Sequence, residues 1–234
     1  MPLDVSLTKR LTRSLSVLDE RGNTGPRLVD DALRLWTRVR YLLAMQLVPA
    51  NSDRSALEAS CYALQLPFAY EKSMKHRPQI KTRLKDRATL AIELLPAAFN
   101  DEGADANLLG RTLALLEQLP DRTPKMPEAR LLADAINLDD FGVSGLIVQT
   151  IQLARQGDGL TQLIDGAEKR EIYGYWDARL KDGFHFEPVR RIAEARLENA
   201  RLATKLMARE LLSEGSADAA WQTPQTPDDT IGHQ

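Results

Sequence analysis

The 234-residue sequence is poor in the residues that build disulfide-stapled domains and imidazole-rich metal centres. It contains a single cysteine, which excludes a disulfide framework and a cysteine-based zinc site. Its three histidines, His76, His185 and His233, are far apart, and none has an aspartate beside it. This pattern indicates neither a Ser-His-Asp arrangement nor a histidine-rich metal site.

The chain also lacks a charge excess and a long apolar run. Lys plus Arg number 31 and Asp plus Glu number 33, so the formal net charge is -2. This balance argues against nucleic acid or an anionic membrane as the partner. No apolar run approaches the ~18 residues of a membrane span, and residues 1–21 lack the apolar block of a secretory signal. We therefore expect a soluble, cytoplasmic protein.

Apolar residues recur at spacings of three and four almost throughout, which predicts an all-α protein without strands. Ser52 or Asp53 is expected to cap the second main helix, and Pro96 to break or kink the third. The predicted apolar stripes of the first four helices are Val29, Leu33, Trp36, Val39, Leu43, Leu47; then Leu57, Cys61, Leu64, Phe68; then Ile80, Leu84, Ala88, Ala91, Leu95; and Leu109, Leu113, Leu116 within Ala106–Leu119. Cys61 is interpreted as a core thiol because it lies on such a stripe.

A proline-rich surface connection over 119–127 separates these helices from the C-terminal ones. The later helices are predicted at Glu128–Ile136, Asp139–Gly157, Leu160–Ala167, Lys169–Leu180 and Glu187–Glu214. Residues 215–234 have the composition of a disordered tail, in which Trp221 is either incidental or a docking motif. The expected organisation is an N-terminal helical extension over 1–25, one helical domain over 26–214 and the tail.

The segment Ala129–Gly145 carries Asp134, the pair Asp139 and Asp140, and glycines at 142 and 145. It resembles the Asp-Ala-Asp-x-Leu-Asp-x-x-Gly-x-x-Gly stretch of the HD-domain metal-dependent phosphohydrolases. Here we expect Asp134 to point into a bundle and Asp139 or Asp140 to cap the next helix. The two glycines would let a neighbouring helix approach closely.

Weaker matches extend the resemblance over roughly residues 26–214. The matching segments are Leu35–Val39, Ser60–Leu66, Arg83–Pro96 and Arg191–Arg196, the last similar to the final long helix of a bacterial branch of the family. The resemblance implies a compact multi-helix HD-like bundle with an added N-terminal helix.

The family holds its metal with a histidine, an adjacent His-Asp pair and a distant aspartate. Leu35 matches the first histidine, Gln65 and Leu66 match the pair, and Arg83 matches a further histidine. Asp134 alone is retained, so the resemblance implies no metal and no catalytic residue in this chain. The vestigial pocket that it implies consists of Leu35, Arg38, Gln65, Leu66, Arg83, Asp134 and Asp139. We expect Asp134 to be a structural carboxylate, hydrogen-bonded or paired with Arg38 or Arg196.

Three functions remain open at this point. The first is a non-catalytic HD-fold protein with a regulatory, sensing or scaffolding role. The second is a divergent phosphohydrolase acting on a nucleotide or other phosphate ester, with Asp134, Gln65 and Asp139 around weakly bound Mg²⁺ or Mn²⁺. The third is a sensor that uses Arg38 in place of the metal. The partner is a small phosphorylated ligand or a protein, not nucleic acid or membrane, and a homodimer through the last helix stays open.

Two further patterns can each be interpreted either as structural or as functional. The basic set Lys75, Arg77, Lys81, Arg83, Lys85 and Arg87 is either a solvated helix face or an anion site. The aromatic residues within 173–186 either pack under a loop or form a ligand or partner surface.

Overall fold

The computed structural model describes residues 3–16, 28–73, 84–99 and 105–212, except the side chains of residues 71–73, 155, 156 and 212. Within these ranges the chain forms eleven α-helices and no strand, which confirms the all-α prediction. The helices are α1 (Val5–Leu15), α2 (Leu28–Ala44), α3 (Arg54–Ala63), α4 (Leu66–Ser73), α5 (Leu84–Phe99), α6 (Ala106–Gln118), α7 (Pro127–Asp139), α8 (Val143–Gln156), α9 (Leu160–Ile172), α10 (Tyr175–Asp182) and α11 (Glu187–Leu212). None of these described helices is both long and apolar enough to cross a membrane.

Aspartates begin several of these helices. Asp4 accepts hydrogen bonds from the first-turn amides of α1, Asp53 from that of Ala56 in α3, and Asp105 from two amides of α6. A carboxylate at this position satisfies amides that have no partner inside the helix and interacts favourably with the helix dipole. The predicted cap at Asp53 is confirmed.

The centre of the core is α3, which packs against α1, α2, α5 and α6. Its small side chains let these neighbours approach, and Cys61 is fully buried among them, as predicted. Burial raises the pKa of the Cys61 thiol well above its usual value, which keeps it protonated. The N-terminal helix belongs to the same core, because α1 buries Leu7, Leu11 and Leu15 in it. The predicted tail lies outside the described residues.

The predicted Val39 of α2 and Leu116 of α6 are buried, but the other buried residues of these two helices lie one position from the predicted ones. In α2 the predicted Leu33 is 43% exposed, whereas Leu35 is buried. The buried faces are Leu28, Ala32, Leu35, Val39 and Leu42 in α2, and Leu108, Thr112, Leu115 and Leu116 in α6. Both helices carry apolar residues on two adjacent faces, so spacing alone could not select between them.

Several helix boundaries also differ from the predictions: α7 continues to Asp139, α8 begins only at Val143, and Pro96 does not break α5. The helix α5 continues through Pro96 to Phe99. The predicted break between Ala167 and Lys169 is absent, because α9 runs on to Ile172. The chain turns instead at Gly174, whose φ of 60° favours glycine.

Two interpretations were given for the aromatic residues between Tyr173 and Phe186. For some of them the first interpretation, packing under a loop, is the one that the structure shows. Trp176 and Phe184 lie edge-on to the fully buried Phe141, with ring centroids 5.0 and 5.4 Å away. Tyr173, however, is 80% exposed. The cluster therefore fastens α10 and the loop that precedes α11 to the end of α7.

Candidate functional site

Asp134, which the resemblance matches to a metal ligand, lies in α7 and is completely buried. Its Oδ1 accepts a hydrogen bond from the backbone amide of His185 at 2.8 Å, and its Oδ2 accepts one from that of Phe186 at 3.0 Å. These amides come immediately before α11 begins. Asp134 therefore ties α7 to the start of α11, and of the two predicted alternatives it is hydrogen-bonded, by backbone amides, and is not paired with Arg38 or Arg196.

The ionisation of Asp134 is shifted by its surroundings. Burial raises the pKa of this carboxyl from 3.8 to about 7, and the two backbone hydrogen bonds act in the opposite direction. The pKa of the His185 imidazole is lowered by burial and by Arg130. The folded protein thus holds a proton on Asp134 over a pH range in which the unfolded chain releases it.

Asp139 is the last residue of α7 and forms ion pairs with two arginines of α2. Arg34 donates to it from Nε at 3.2 Å and from Nη2 at 3.0 Å, and Arg38 pairs with its Oδ1. Arg34 also pairs with Asp31 at 2.6 Å, and Arg38 donates to the Ser144 hydroxyl at 3.3 Å. A carboxylate neutralised in this way holds α2 against the α7–α8 turn.

The prediction that Asp139 or Asp140 caps α8 is wrong. Gly142 is the N-cap residue of α8, and no side chain provides a capping hydrogen bond there. Asp140 instead pairs with Arg179 of α10 at 2.9 Å, and Arg179 also donates to Asn137 at 2.9 Å. The tight turn at 140–142 carries the aspartates away from the first amides of α8 and toward the arginines of other helices.

The two glycines of this turn have different roles. Gly142 has a φ of 90°, and a Cβ there would lie 3.1 Å from the Cβ of Arg196 in α11, so it permits the predicted close approach. Gly145 does not face a neighbouring helix in this way, because a Cβ at that position would overlap the carbonyl group of Asp140. Glycine is therefore required at position 145 by the backbone of the α7–α8 turn and not by a neighbouring helix.

Arg38 is a mostly buried cation at the centre of this cluster, with 11% of its side chain exposed. Its pKa is lowered to about 10 by burial and by the nearby charges of Arg196 and Arg34, while Asp140 opposes the shift. The guanidinium therefore stays charged at neutral pH and supplies positive charge beside Asp139 and Ser144.

Arg34 is a residue that the sequence analysis did not single out, whereas Arg87 of α5 belongs to the basic set named there. The Nε of Arg87 donates to the carbonyl of Leu64 at 3.1 Å, and its guanidinium lies 5.2 Å from the centre of the Phe68 ring. Burial lowers its pKa to about 10, and the charges of Asp140 and Asp31 act on it in the opposite direction. Arg87 therefore holds the first turns of α5 against the α3–α4 junction.

A sequence signal for Arg87 existed, because it stands four and eight residues before the buried Ala91 and Leu95. Of the basic set to which it belongs, Lys85 is exposed, as a solvated face requires, and Arg87 is only partly exposed. Lys75, Arg77, Lys81 and Arg83 lie outside the described residues.

The remaining pocket positions provide no ligand set for a divalent metal. Leu35, Gln65 and Leu66 are buried, but the two leucines have no donor atom. Both oxygens of Asp134 already accept backbone hydrogen bonds. Among the residues that the structure describes, no group of three or more His, Cys, Asp or Glu side chains could hold a metal ion. The described residues at these positions do not fit the metal centre of the HD-domain phosphohydrolases.

A cavity of about 480 Å³ opens elsewhere, between the end of α2 and the start of α3. Leu43, Gln46, Val48 and Arg54 contribute to its lining, and none of the predicted pocket residues does.

Comparison with protein-family models, with curated proteins and with solved structures finds no match to the chain. The arrangement of its residues is therefore the basis for any functional conclusion.

Asp139→Asn is expected to lower the free energy of unfolding by roughly 2 kcal/mol, because two partly buried arginines lose their shared carboxylate. Asp182→Asn is the control, since the Asp182–Arg122 pair is exposed and 3.9 Å apart, and we expect a cost below about 0.5 kcal/mol. Urea unfolding followed by circular dichroism measures both. Equal costs for the two variants would show that the Asp139 cluster contributes no more than a surface pair.

Proposed function

We propose that this chain is a non-catalytic protein of the HD-like class, with a regulatory, sensing or scaffolding role. The proposal depends chiefly on the hydrogen bonds that Asp134 accepts. Both of its oxygens accept hydrogen bonds from the amides that precede α11, so the one retained ligand position serves the fold. Burial also raises the pKa of this carboxyl to about 7, so Asp134 is a weaker ligand for a metal ion than an ordinary aspartate.

The arginine cluster supports the same proposal. Metal-dependent phosphoryl chemistry uses a divalent ion to orient the phosphate and to generate a water nucleophile. Here Arg34 and Arg38 neutralise Asp139, which the alternative hydrolase would need as a metal ligand. Arginine supplies charge and hydrogen bonds to an anion, yet it cannot activate water as a bound metal does. Recognition of a small phosphorylated ligand or of a protein partner is therefore the favoured role.

A hydrolysis assay tests the absence of catalysis. The full chain is incubated with p-nitrophenyl phosphate and with nucleoside mono- and triphosphates, in the presence of Mg²⁺, Mn²⁺ or Fe²⁺. We expect release of phosphate at the rate of the buffer alone, for the wild-type chain and for Asp134→Asn alike. Metal-dependent turnover by the wild-type chain that Asp134→Asn abolishes would establish the alternative, a divergent phosphohydrolase.

A further inference from the structure

Helices α8 and α9 form a hairpin that stands apart from the main hydrophobic core. None of the described side chains of α8 is buried, and Leu163 is the one buried residue of α9. The core that the structure describes contains residues of α1 to α7 and of α11, and partly buried residues of α10 pack against it, but no residue of α8 or α9 belongs to it. A segment with so few buried apolar contacts separates from the rest of a protein at a low cost in free energy.

The hairpin is bounded at both ends by glycines in the left-handed region. Gly142 precedes α8 with a φ of 90°, and Gly174 follows α9 with a φ of 60°. Inside the hairpin, Arg170 of α9 donates a hydrogen bond to Gln149 of α8 at 2.6 Å. Because glycine changes its backbone angles more freely than other residues, the two ends can act as hinges while α8 and α9 keep their mutual contact.

The hairpin packs against α11 through a contact that is partly polar and close to solvent. Glu171 of α9 pairs with Arg201 of α11 at 2.7 Å, and these side chains are 43% and 33% exposed. Ala200, the neighbour of Arg201, is buried but lies outside the main core, whereas Ala193, about two turns earlier on the same face of α11, belongs to it. An exposed ion pair contributes little free energy, so the contact holds the hairpin weakly.

We propose that the α8–α9 hairpin is a flap that opens away from α11 as one unit, with Gly142 and Gly174 as its hinges, while the main core stays folded. Opening exposes the part of α11 that carries Ala200. The inference goes beyond the proposed function, because it holds whether or not the chain binds a metal or hydrolyses a phosphate ester.

The flap is coupled to the arginine cluster around Asp139. Ser144 lies two residues beyond the hinge at Gly142, and its hydroxyl accepts a hydrogen bond from Arg38 at 3.3 Å. Opening moves Ser144 away, so that Arg38 keeps Asp139 as its partner and becomes more exposed. A molecule that binds Arg38 better in this state would hold the flap open.

Thiol labelling of the full chain tests the proposal, with Ala200→Cys as the probe and Ala193→Cys as its matched control. Both variants add one sulfur atom to the same face of α11, and the buried Cys61 is an internal reference in each. A thiol reagent is added at about pH 8, and mass spectrometry of peptides follows each position. We expect the thiol at position 200 to react about a hundredfold faster, or more, than the thiol at position 193 and Cys61, which react only when the core unfolds.

Removal of the ion pair between the hairpin and α11 should open the flap more often. Glu171→Gln, added to the Ala200→Cys chain, should raise the labelling rate at position 200 by about two- to fivefold. The control is Glu187→Gln, because Glu187 pairs with Arg190 and Arg191 inside α11. This second variant should leave the labelling rate at position 200 unchanged.

Hydrogen exchange of the wild-type chain shows whether the hairpin moves intact. The amides inside α8 and α9 should open at least about tenfold less often than labelling at position 200 reports, because a flap that moves as one unit keeps its helical hydrogen bonds. Equal labelling rates at positions 200 and 193 overturn the proposal, and so does a rate at position 200 that Glu171→Gln does not raise. Amides of α8 and α9 that open as often as the thiol is labelled overturn it as well, since the helices then unfold instead of moving together.

Discussion

Asp134→Ala is expected to lower the free energy of unfolding by about 2–4 kcal/mol at about pH 5.5, because two amides at the start of α11 lose their acceptor. The cost should be smaller at about pH 8, by about 2 kcal/mol. Urea unfolding of the wild-type chain and the variant at both pH values measures this difference.

The sign of the pH effect follows from the raised pKa of Asp134. The folded protein keeps the proton up to about pH 7, while the unfolded chain releases it near 3.8. The stability that this proton contributes is complete below the unfolded pKa and is lost between about pH 4 and about pH 7. Alanine has no proton to lose, so the difference in free energy of unfolding between the wild-type chain and Asp134→Ala shrinks as the pH rises. The lowered pKa of His185 makes the free energy of unfolding rise with pH, opposite to the effect of Asp134. His185 is present in both the wild-type chain and the variant, so its contribution largely cancels in their difference.

Asp105→Ala is the matched control for this variant. Asp105 also accepts hydrogen bonds from two backbone amides, at 2.9 and 3.1 Å, but it is an exposed cap of α6. Water can replace its carboxylate, so we expect a cost of about 1 kcal/mol. If Asp134→Ala costs no more than Asp105→Ala at the lower pH, or costs more as the pH rises, our account of Asp134 is wrong.

Gly145→Ala should destabilise the protein by roughly 3 kcal/mol, because its Cβ would overlap the backbone carbonyl of Asp140 and the α7–α8 turn would have to shift. The control is Gly110→Ala in α6, where a Cβ meets nothing within 4 Å. Alanine there should stabilise the protein by about 0.5–1 kcal/mol, since it lowers the entropy of the unfolded chain. Thermal and urea unfolding of both variants give the comparison, and a tolerated alanine at 145 would contradict the geometry of the turn.

The sequence predicted the helices well because helix formation depends on nearby residues. Apolar spacing and Pro188 placed the start of α11 at Glu187, and Asp53, one of two predicted caps, begins α3. Spacing was less informative for α2, where Leu33 and Leu35 both lie in apolar rows and only packing against α3 and α7 decides which one is buried. The turn at Gly174 was missed because a single glycine gives little local signal.

The site was predicted less well, because its contacts join residues far apart in the chain. Asp134 and the amide of Phe186 are 52 residues apart, and Arg34 and Asp139 are 105 apart. The sequence indicated that Asp134 needs a donor, and an arginine was the obvious expectation for a buried carboxylate. It could not indicate that the start of α11 arrives at the same point and provides two amides.

Metal analysis of the full chain, purified without chelator, tests the central claim most directly. Our account predicts less than about a tenth of an equivalent of Fe, Mn, Ni or Zn per chain, because Asp134 is held by backbone amides and Asp139 by arginines. A content near one equivalent per chain would contradict it. That result would mean that residues other than Leu35, Gln65 and Leu66 complete a metal centre, and it would favour the alternative of a divergent metal-dependent phosphohydrolase.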